Sequence, residues 1–371
     1  MYNVLHVIGY IGRGGDTSVV LDVMNNMDSN KYHFDFITHK GTTDMNVVKR
    51  LRDSGSTVYI LEGDVRILGI KKYYQEIKKI IESSQIKYNA IHTHTSMQSG
   101  VALLAAKKAG INKRICHSHV TTIQRKASAL KRIIAVPIFR FLYMKNSTCK
   151  VACSKMAGDF LFGNNNNYTL IYNAVDVNKY LDVSEKDIAD IRNEFGINDD
   201  DIVIGHVGRM SSMKNQEFDI LLAEHTKNNP NIKYVLVGDG TDLGKIKELA
   251  VSLSKTVVIT GQRYDVPAIM KSCDCVILPS LPGEGFPVTM IEAQAAGCKC
   301  IVSDTVTPEV EIGLGLVDII SIDKIDEWVN SIKRIKRNKD IDYRNKCAQQ
   351  LSEKGFGKDV FVSKWLELYD G

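Results

Sequence analysis

The chain has 371 residues, 44% hydrophobic and 25% charged, with a net charge of +5 at pH 7. That length exceeds what one hydrophobic core usually serves, so two domains are expected, with the composition of an ordinary soluble protein. There is no apolar run of about 20 residues, and Asn3-Val4-Leu5-His6-Val7-Ile8-Gly9 lacks a secretory leader's pattern, so a cytoplasmic protein without a membrane span is expected.

Residues 1–180 hold 25 Lys/Arg and 12 Asp/Glu, a net of +13, whereas residues 181–371 hold 23 and 31, a net of −8. A basic first half implies an anionic partner, with phospholipid, nucleic acid and a phosphorylated acceptor as candidates. The eight cysteines are scattered. Cys273/Cys275 and Cys298/Cys300 stand at strand spacing, not in a metal-ligand pattern, and buried free thiols are expected.

The first half alternates short apolar runs with helical patterns. Strands are expected at Val4–Ile8, Phe34–Thr38, Thr57–Leu61, Ala90–His94, Lys113–His117 and Lys150–Cys153. Helices are expected between them, among them Thr17–Met27, Ile70–Ser83, Gln98–Ala109 and Ala127–Met144. This order predicts a parallel sheet covered by helices on both faces. After the first strand, Gly12-Arg13-Gly14-Gly15 misses the Gly-x-Gly-x-x-Gly spacing. Without side-chain bulk it is either a tight turn or a loop that a phosphate or sugar can approach. In Cys116-His117-Ser118-His119, period-2 alternation turns both histidines to one face. His119 is the one better placed to reach a site beyond the strand end, although a structural role is the commoner fate of a single histidine. Residues 125–145 alternate basic and apolar side chains, and Pro137 would interrupt the helix expected there, which allows two shorter helices as the alternative. They form either a core helix with snorkelling cations or a surface helix for anionic lipid.

Asn164–Asn167 is a polar turn, after which a second α/β series follows. Its strands are Ile202–Val207, Tyr234–Val237, Val257–Thr260, Cys275–Leu278 and Cys300–Val302. The domains are placed at residues 1–172 and 173–357, with an amphipathic helix at 358–371 packing back on the first. Open α/β sheets bind ligands outside the carboxyl ends of their strands, which puts the expected site in a cleft between the domains. Arg209 and Lys214, in Gly208-Arg209-Met210-Ser211-Ser212-Met213-Lys214-Asn215, supply a planar fork and a point charge for phosphate oxygens. Asp199-Asp200-Asp201 sits in a polar loop and reads as a solvated turn. Glu284 lies in a Gly/Pro turn, and Glu292 lies eight positions later on the following helix. A helix start flanked by two carboxylates suits a nucleotide sugar, which carries phosphates between two sets of hydroxyls. Solvated glutamates on an amphipathic helix would explain the same spacing.

Taken together, the Gly loop, the His-Ser-His segment, Asn173, Gly208-Arg209 with Lys214, Val237-Gly238-Asp239-Gly240 and the Glu284/Glu292 pair resemble the retaining glycosyltransferases of family 4. The resemblance spans nearly the whole chain. Within the family, Glu292-Ala293-Gln294-Ala295-Ala296-Gly297 and Ser303-Asp304-Thr305-Val306-Thr307-Pro308-Glu309-Val310 look like bacterial capsular and exopolysaccharide members. The resemblance implies a GT-B fold, two Rossmann-like α/β domains around a cleft, the first for acceptor and the second for nucleotide sugar. It implies transfer of a hexose or N-acetylhexosamine from a UDP-sugar to a glycan acceptor, plausibly carried on a polyprenyl diphosphate. It also implies that no cofactor or metal is needed and that no nucleic acid is bound.

By the same resemblance, Glu292 holds the ribose. Glu284 contacts the donor hexose with backbone groups of Gly285, Phe286 and Pro287, and Val288 and Thr289 open the helix facing the phosphates. Arg209 and Lys214 neutralise the leaving diphosphate, and Gln262 and Arg263 lie near the base. His119 faces the reacting sugar, and Gly14 and Gly15 leave room for the phosphates. The chain departs from the family pattern at three places. The loop before Glu284 is one residue longer through Leu281-Pro282-Gly283, Asp16-Thr17 stands where Ala-Glu is common, and Lys299 replaces a usual Pro. Two other functions compete with this reading: a GT-B sugar-nucleotide epimerase, and a non-catalytic module that binds membrane or nucleic acid through the basic half.

Overall fold

The computed structural model of the chain describes residues 1–12, 16–41, 43–122, 129–164 and 167–370. It divides into two compact units, Met1–Tyr172 with Asp359–Gly371, and Asn173–Lys358. Each is built on one parallel sheet.

In the first unit the strands are β1 (Tyr2–Val7), β2 (Tyr32–His39), β3 (Val58–Leu61), β4 (Ala90–Thr93), β5 (Lys113–Ser118), β6 (Cys149–Ala152) and β7 (Thr169–Leu170). They lie in the order β3-β2-β1-β4-β5-β6-β7, all parallel. Such strands are covered on both faces, and β1 and β4 accordingly run buried for four consecutive residues. Between the sheet and its helices, Leu5, Ile37, Ile91, Val101, Leu103, Tyr143, Leu161 and Phe162 form one apolar cluster. The final helix, Lys358–Asp370, supplies Phe361, Trp365 and Tyr369 to this unit's interior.

Residues Ala129–Asn146 form one helix with Pro137 inside, matching the helix expected at Ala127–Met144 and not the alternative of two shorter ones. Proline costs about 3 kcal/mol in a helix interior. The packing on the carboxyl side of Pro137 offsets it: a Cβ added at Gly100 would strike Leu142 and the Tyr143 backbone, so the two helices approach closely. Tyr143 is 1% exposed and bonds the Leu161 carbonyl.

The second unit contains β8 (Ile202–Val207), β9 (Ile232–Val237), β10 (Val257–Gly261), β11 (Cys275–Leu278), β12 (Lys299–Ser303) and β13 (Val317–Ile320). Their order is β10-β9-β8-β11-β12-β13, again all parallel. Ile204, Leu222, Tyr234, Leu236, Ile277, Ile301 and Trp328 make the core of one face. All eight cysteines are free and seven are buried. Among the described residues, no helix is long and apolar enough to cross a membrane.

Candidate active site

The second sheet reverses its strand order between β8 and β11, and the loops that leave these neighbours are where an open α/β sheet takes a ligand. Lys214 comes from the loop after β8 and Glu284 from the loop after β11. Lys214 Nζ lies 2.8 Å from Glu284 Oε1, with both side chains nearly buried. Ser280 Oγ donates to the same carboxylate oxygen at 3.4 Å.

The local sequence explains why the two loops meet. Asn215 takes a left-handed backbone conformation, φ 58°, which asparagine tolerates. Its amide donates to the Pro279 carbonyl at 3.0 Å, and the Leu281 N–H donates to the Met213 carbonyl at 2.8 Å. Ser303 and Thr305 hydroxyls both donate to the Ser280 carbonyl at 2.6 Å, fixing the glutamate loop from its other side. Beneath Arg209, Gln216 bonds the Arg209 carbonyl and the Ser211 N–H. Gln216 is followed by Asp219, which holds buried His206 at 2.5 Å. Burial pushes the Asp219 carboxyl up, with His206 opposing the shift. Arg209 itself is exposed at the edge.

Glycine is required in the loop after β9. Gly238 has φ 143°, and a Cβ there would collide with the Gly208 carbonyl oxygen. The two loops therefore touch backbone to backbone.

The helix after Glu284 spans Val288–Ala295, and no side chain caps its start at Pro287. Gly285, Phe286 and Pro287 are buried, while Val288 and Thr289 are half-buried. The Phe286 carbonyl accepts from Asn173 Nδ2 at 2.9 Å. Glu292, half-buried on this helix, meets Tyr180. Burial first, then the Glu292 charge and a hydrogen bond to it, push the Tyr180 phenol well above its usual range.

Arg263 is committed to its own neighbours. It pairs with Glu194 at 2.5 Å and Asp265 at 2.7 Å, and lies 5.5 Å from the Phe195 ring centre. Those carboxylates raise its pKa further. Gln262 beside it is exposed.

Of the remaining candidates, Gly14 and Gly15 lie outside the described residues, as do residues 125–128 of the basic segment. His119 belongs to the first unit. Its ring stacks on His117 with centroids 4.0 Å apart, confirming the shared face, and its Nε2 is 2.9 Å from His94 Nδ1. His6, His92, His94 and His117 are buried around it. Burial, then the neighbouring imidazoles, drives the pKa values of His92, His94 and His117 well down, which keeps these rings neutral at neutral pH.

Tyr180, Ser280, the His206/Asp219/Gln216 scaffold and the deeper His6, His92 and His94 were not anticipated. Only the last left a trace in the sequence: His92-x-His94 and His117-x-His119 are two strand-period pairs at adjacent strand ends.

The Glycosyltransferase Family 4 model matches residues 13–179, and that of Glycosyl transferases group 1 matches residues 187–354. EpsF of Bacillus subtilis (strain 168) is 33% identical across 99% of this chain and 96% of that protein. The chain belongs to glycosyltransferase family 4. A second relative, from Escherichia coli, is 25% identical over 88% of each protein and is named UDP-Gal:alpha-D-GlcNAc-diphosphoundecaprenol alpha-1,3-galactosyltransferase. HepE of Anabaena, solved in complex with UDP and glucose, superposes with a TM-score of 0.76 at 18% identity over 99% of both chains. The fold of this glycosyltransferase is therefore GT-B.

Proposed function

We propose that this transferase moves a hexose or N-acetylhexosamine from a UDP-sugar to a lipid-linked glycan acceptor in capsule or exopolysaccharide synthesis, retaining the anomeric configuration and using no metal. The observation that carries the reading is the Lys214–Glu284 pair at the strand-order reversal, beside a helix start without a side-chain cap and with Glu292 on the same helix. The UDP-sugar named for the Escherichia coli relative and the UDP in the HepE complex favour uridine donors, and the diphosphoundecaprenol acceptor of the former favours a lipid carrier.

In this reading the diphosphate lies at the Val288–Thr289 helix start, where backbone N–H groups and the helix dipole favour anions. Lys214 and Arg209 neutralise the charge that grows on the diphosphate oxygen as the bond to the sugar breaks, a stabilisation present only as reaction proceeds. Glu292 accepts from the ribose hydroxyls, with Tyr180 setting its position. Glu284, held by Lys214 and Ser280, accepts from donor-sugar hydroxyls with backbone help from Gly285, Phe286 and Pro287. Gln262 flanks the base, and Arg263 orders that loop through Glu194 and Asp265. The family resemblance assigns His119 a role toward the reacting sugar and Gly14 and Gly15 a role toward the phosphates. The acceptor oxygen bonds to the anomeric carbon on the face that the diphosphate leaves, and its proton passes to the departing phosphate oxygen. Peripheral attachment to anionic lipid runs through residues 125–145, supported by Ile138 and Phe141, 47% and 61% exposed, alongside Arg140 and Lys145.

The test is incubation with a panel of UDP- and GDP-sugars, in EDTA and in parallel with added divalent metal, reading nucleotide diphosphate release and thermal shift. Release or a shift with a UDP-sugar is the expected result. Silence with every donor overturns the reading, and activity that EDTA abolishes overturns its metal independence.

A further inference from the structure

We propose that His94, His117 and His119 form a site for one divalent transition-metal ion of the zinc type, with His6, His92 and Tyr369 behind it as orienting groups. Five of the chain's nine histidines gather here. One ring nitrogen from each of the three lies within 4.8 Å of the others. A tetrahedral zinc with Zn–N of about 2.0–2.1 Å sets its ligand nitrogens roughly 3.3 Å apart. His94 Nδ1 and His119 Nε2 already stand at 2.9 Å.

The far nitrogens are engaged as those of metal ligands usually are. His94 Nε2 meets His6 Nδ1 at 3.1 Å, and His117 Nδ1 meets His92 Nε2 at 3.2 Å. His92 Nδ1 meets the Tyr369 hydroxyl at 2.9 Å. His117 is thus fixed by one nitrogen, while its buried Nε2 has no hydrogen-bond partner. A buried ring nitrogen without a partner is unfavourable; in the tautomer whose Nδ1 carries the proton, Nε2 presents a lone pair that a metal ion satisfies. Trp365 walls the group, its ring centre 5.8 Å from that of His94 and 5.4 Å from that of His117. His119, the half-buried member, is the entry side.

Three neutral imidazoles suit zinc, copper, nickel or cobalt and do not suit magnesium or calcium, which take oxygen ligands. The ion is no participant in the transfer proposed above. It engages His119, a side chain that the transfer reading also uses, so its binding should lower turnover under that reading.

The experiment is titration of the chelator-stripped, full-length protein with Co2+, followed by Zn2+. One equivalent of Co2+ giving the visible bands of a tetrahedral site, displaced by Zn2+, is expected. H117Q and H119Q each abolish the bands. H6Q, which removes an orienting group, weakens binding roughly 10–100-fold. H225Q, at an exposed histidine of the other unit, leaves binding unchanged. Because H117Q alters a buried position, H119Q at the half-buried one is the decisive variant, with circular dichroism confirming its fold. Absence of tetrahedral bands, or bands that persist in H119Q, overturns the site and leaves a hydrogen-bonded chain of neutral histidines. The readout is spectroscopic, so failure of the transfer reading does not touch it.

Discussion

The two parallel sheets differ in how many imidazoles they bury and in where their charges lie. The first unit buries a stack of imidazoles among β1, β4 and β5, where desolvation keeps the rings neutral. The second lines β11 with aliphatic side chains and a thiol, buries one histidine on β8, His206, against Asp219, and carries its candidate site charges, Arg209, Lys214 and Glu284, in loops beyond the strand ends. Charge is cheap at a strand end, where water and opposite charges compensate it, and costly within a sheet. The second unit's edge is therefore suited to binding a charged ligand. The first unit's interior offers lone pairs and hydrogen bonds without fixed charge.

The most severe test removes the edge charges. Under the transfer reading, Lys214→Ala lowers kcat about 10²–10³-fold, the scale of losing one electrostatic stabiliser. Glu284→Gln, which keeps shape while losing charge, falls comparably. Both are read by steady-state release of nucleotide diphosphate. If the melting temperature collapses while turnover per folded molecule is preserved, the pair is a structural bridge and the contrast between the sheets disappears.

The second test concerns backbone contact. Gly238→Ala forces a side chain into a left-handed conformation against the Gly208 carbonyl. It should destabilise the protein by about 2–4 kcal/mol in urea unfolding. Gly244→Ala, on a helix with open space around the added carbon, should be neutral or slightly stabilising. Equal effects would mean that the loops move apart without cost and do not position Arg209.

Sequence patterning revealed the parallel strands well, because buried runs such as Val4-Leu5-His6-Val7 are bounded by turn residues and followed by helical periodicity. It missed β7, only two residues long, and β13, whose Val317-Asp318-Ile319-Ile320 mixes exposure at a sheet edge. It placed a helix at Ala127–Met144 but left a break at Pro137 open, since local propensity cannot register the Gly100 contact on the far side of the proline. Lys214 and Glu284 were both candidates, but their mutual pairing was invisible: 70 positions separate them, and the β8–β11 adjacency that joins them is topological. Tyr180 was invisible for the same reason, lying on a short helix whose distance from Glu292 only the folded unit defines.

Tyr180→Phe is a milder test. It removes the hydroxyl that meets Glu292 and keeps the buried ring. Losing one hydrogen bond to a charged group is worth about 1.5–3 kcal/mol at most, and solvent at half-exposed Glu292 replaces part of it. The donor KM should therefore rise about 5-fold with kcat nearly unchanged, in donor-saturation kinetics. A fall in kcat alone would place Glu292 at the reacting centre and not at the ribose.

The smallest effect comes from one of the second unit's buried cations, which lies away from the site loops. Lys271, near the amino end of β11, is 1% exposed and bonds Asn345 Oδ1 at 2.6 Å. Burial, then the nearby Arg344 charge, lowers its pKa from 10.5 to about 8. Arg192, Asp274 and Arg337 line the same depression of about 450 Å³. Between about pH 8 and pH 10.5 the unfolded chain keeps a proton that the folded chain has released, so this group makes unfolding less favourable as pH rises. Below pH 8 both states are protonated and the full penalty of the buried charge is present. Lys271→Met removes the penalty, so the difference in unfolding free energy between wild type and variant should move in favour of wild type from about pH 8 upward. Urea midpoints of the two proteins across that window measure it. A constant difference would mean that Lys271 stays charged in the fold, stabilised by Asn345 and the Asp274 side of the depression, and that the second unit tolerates buried charge as readily as its edge does.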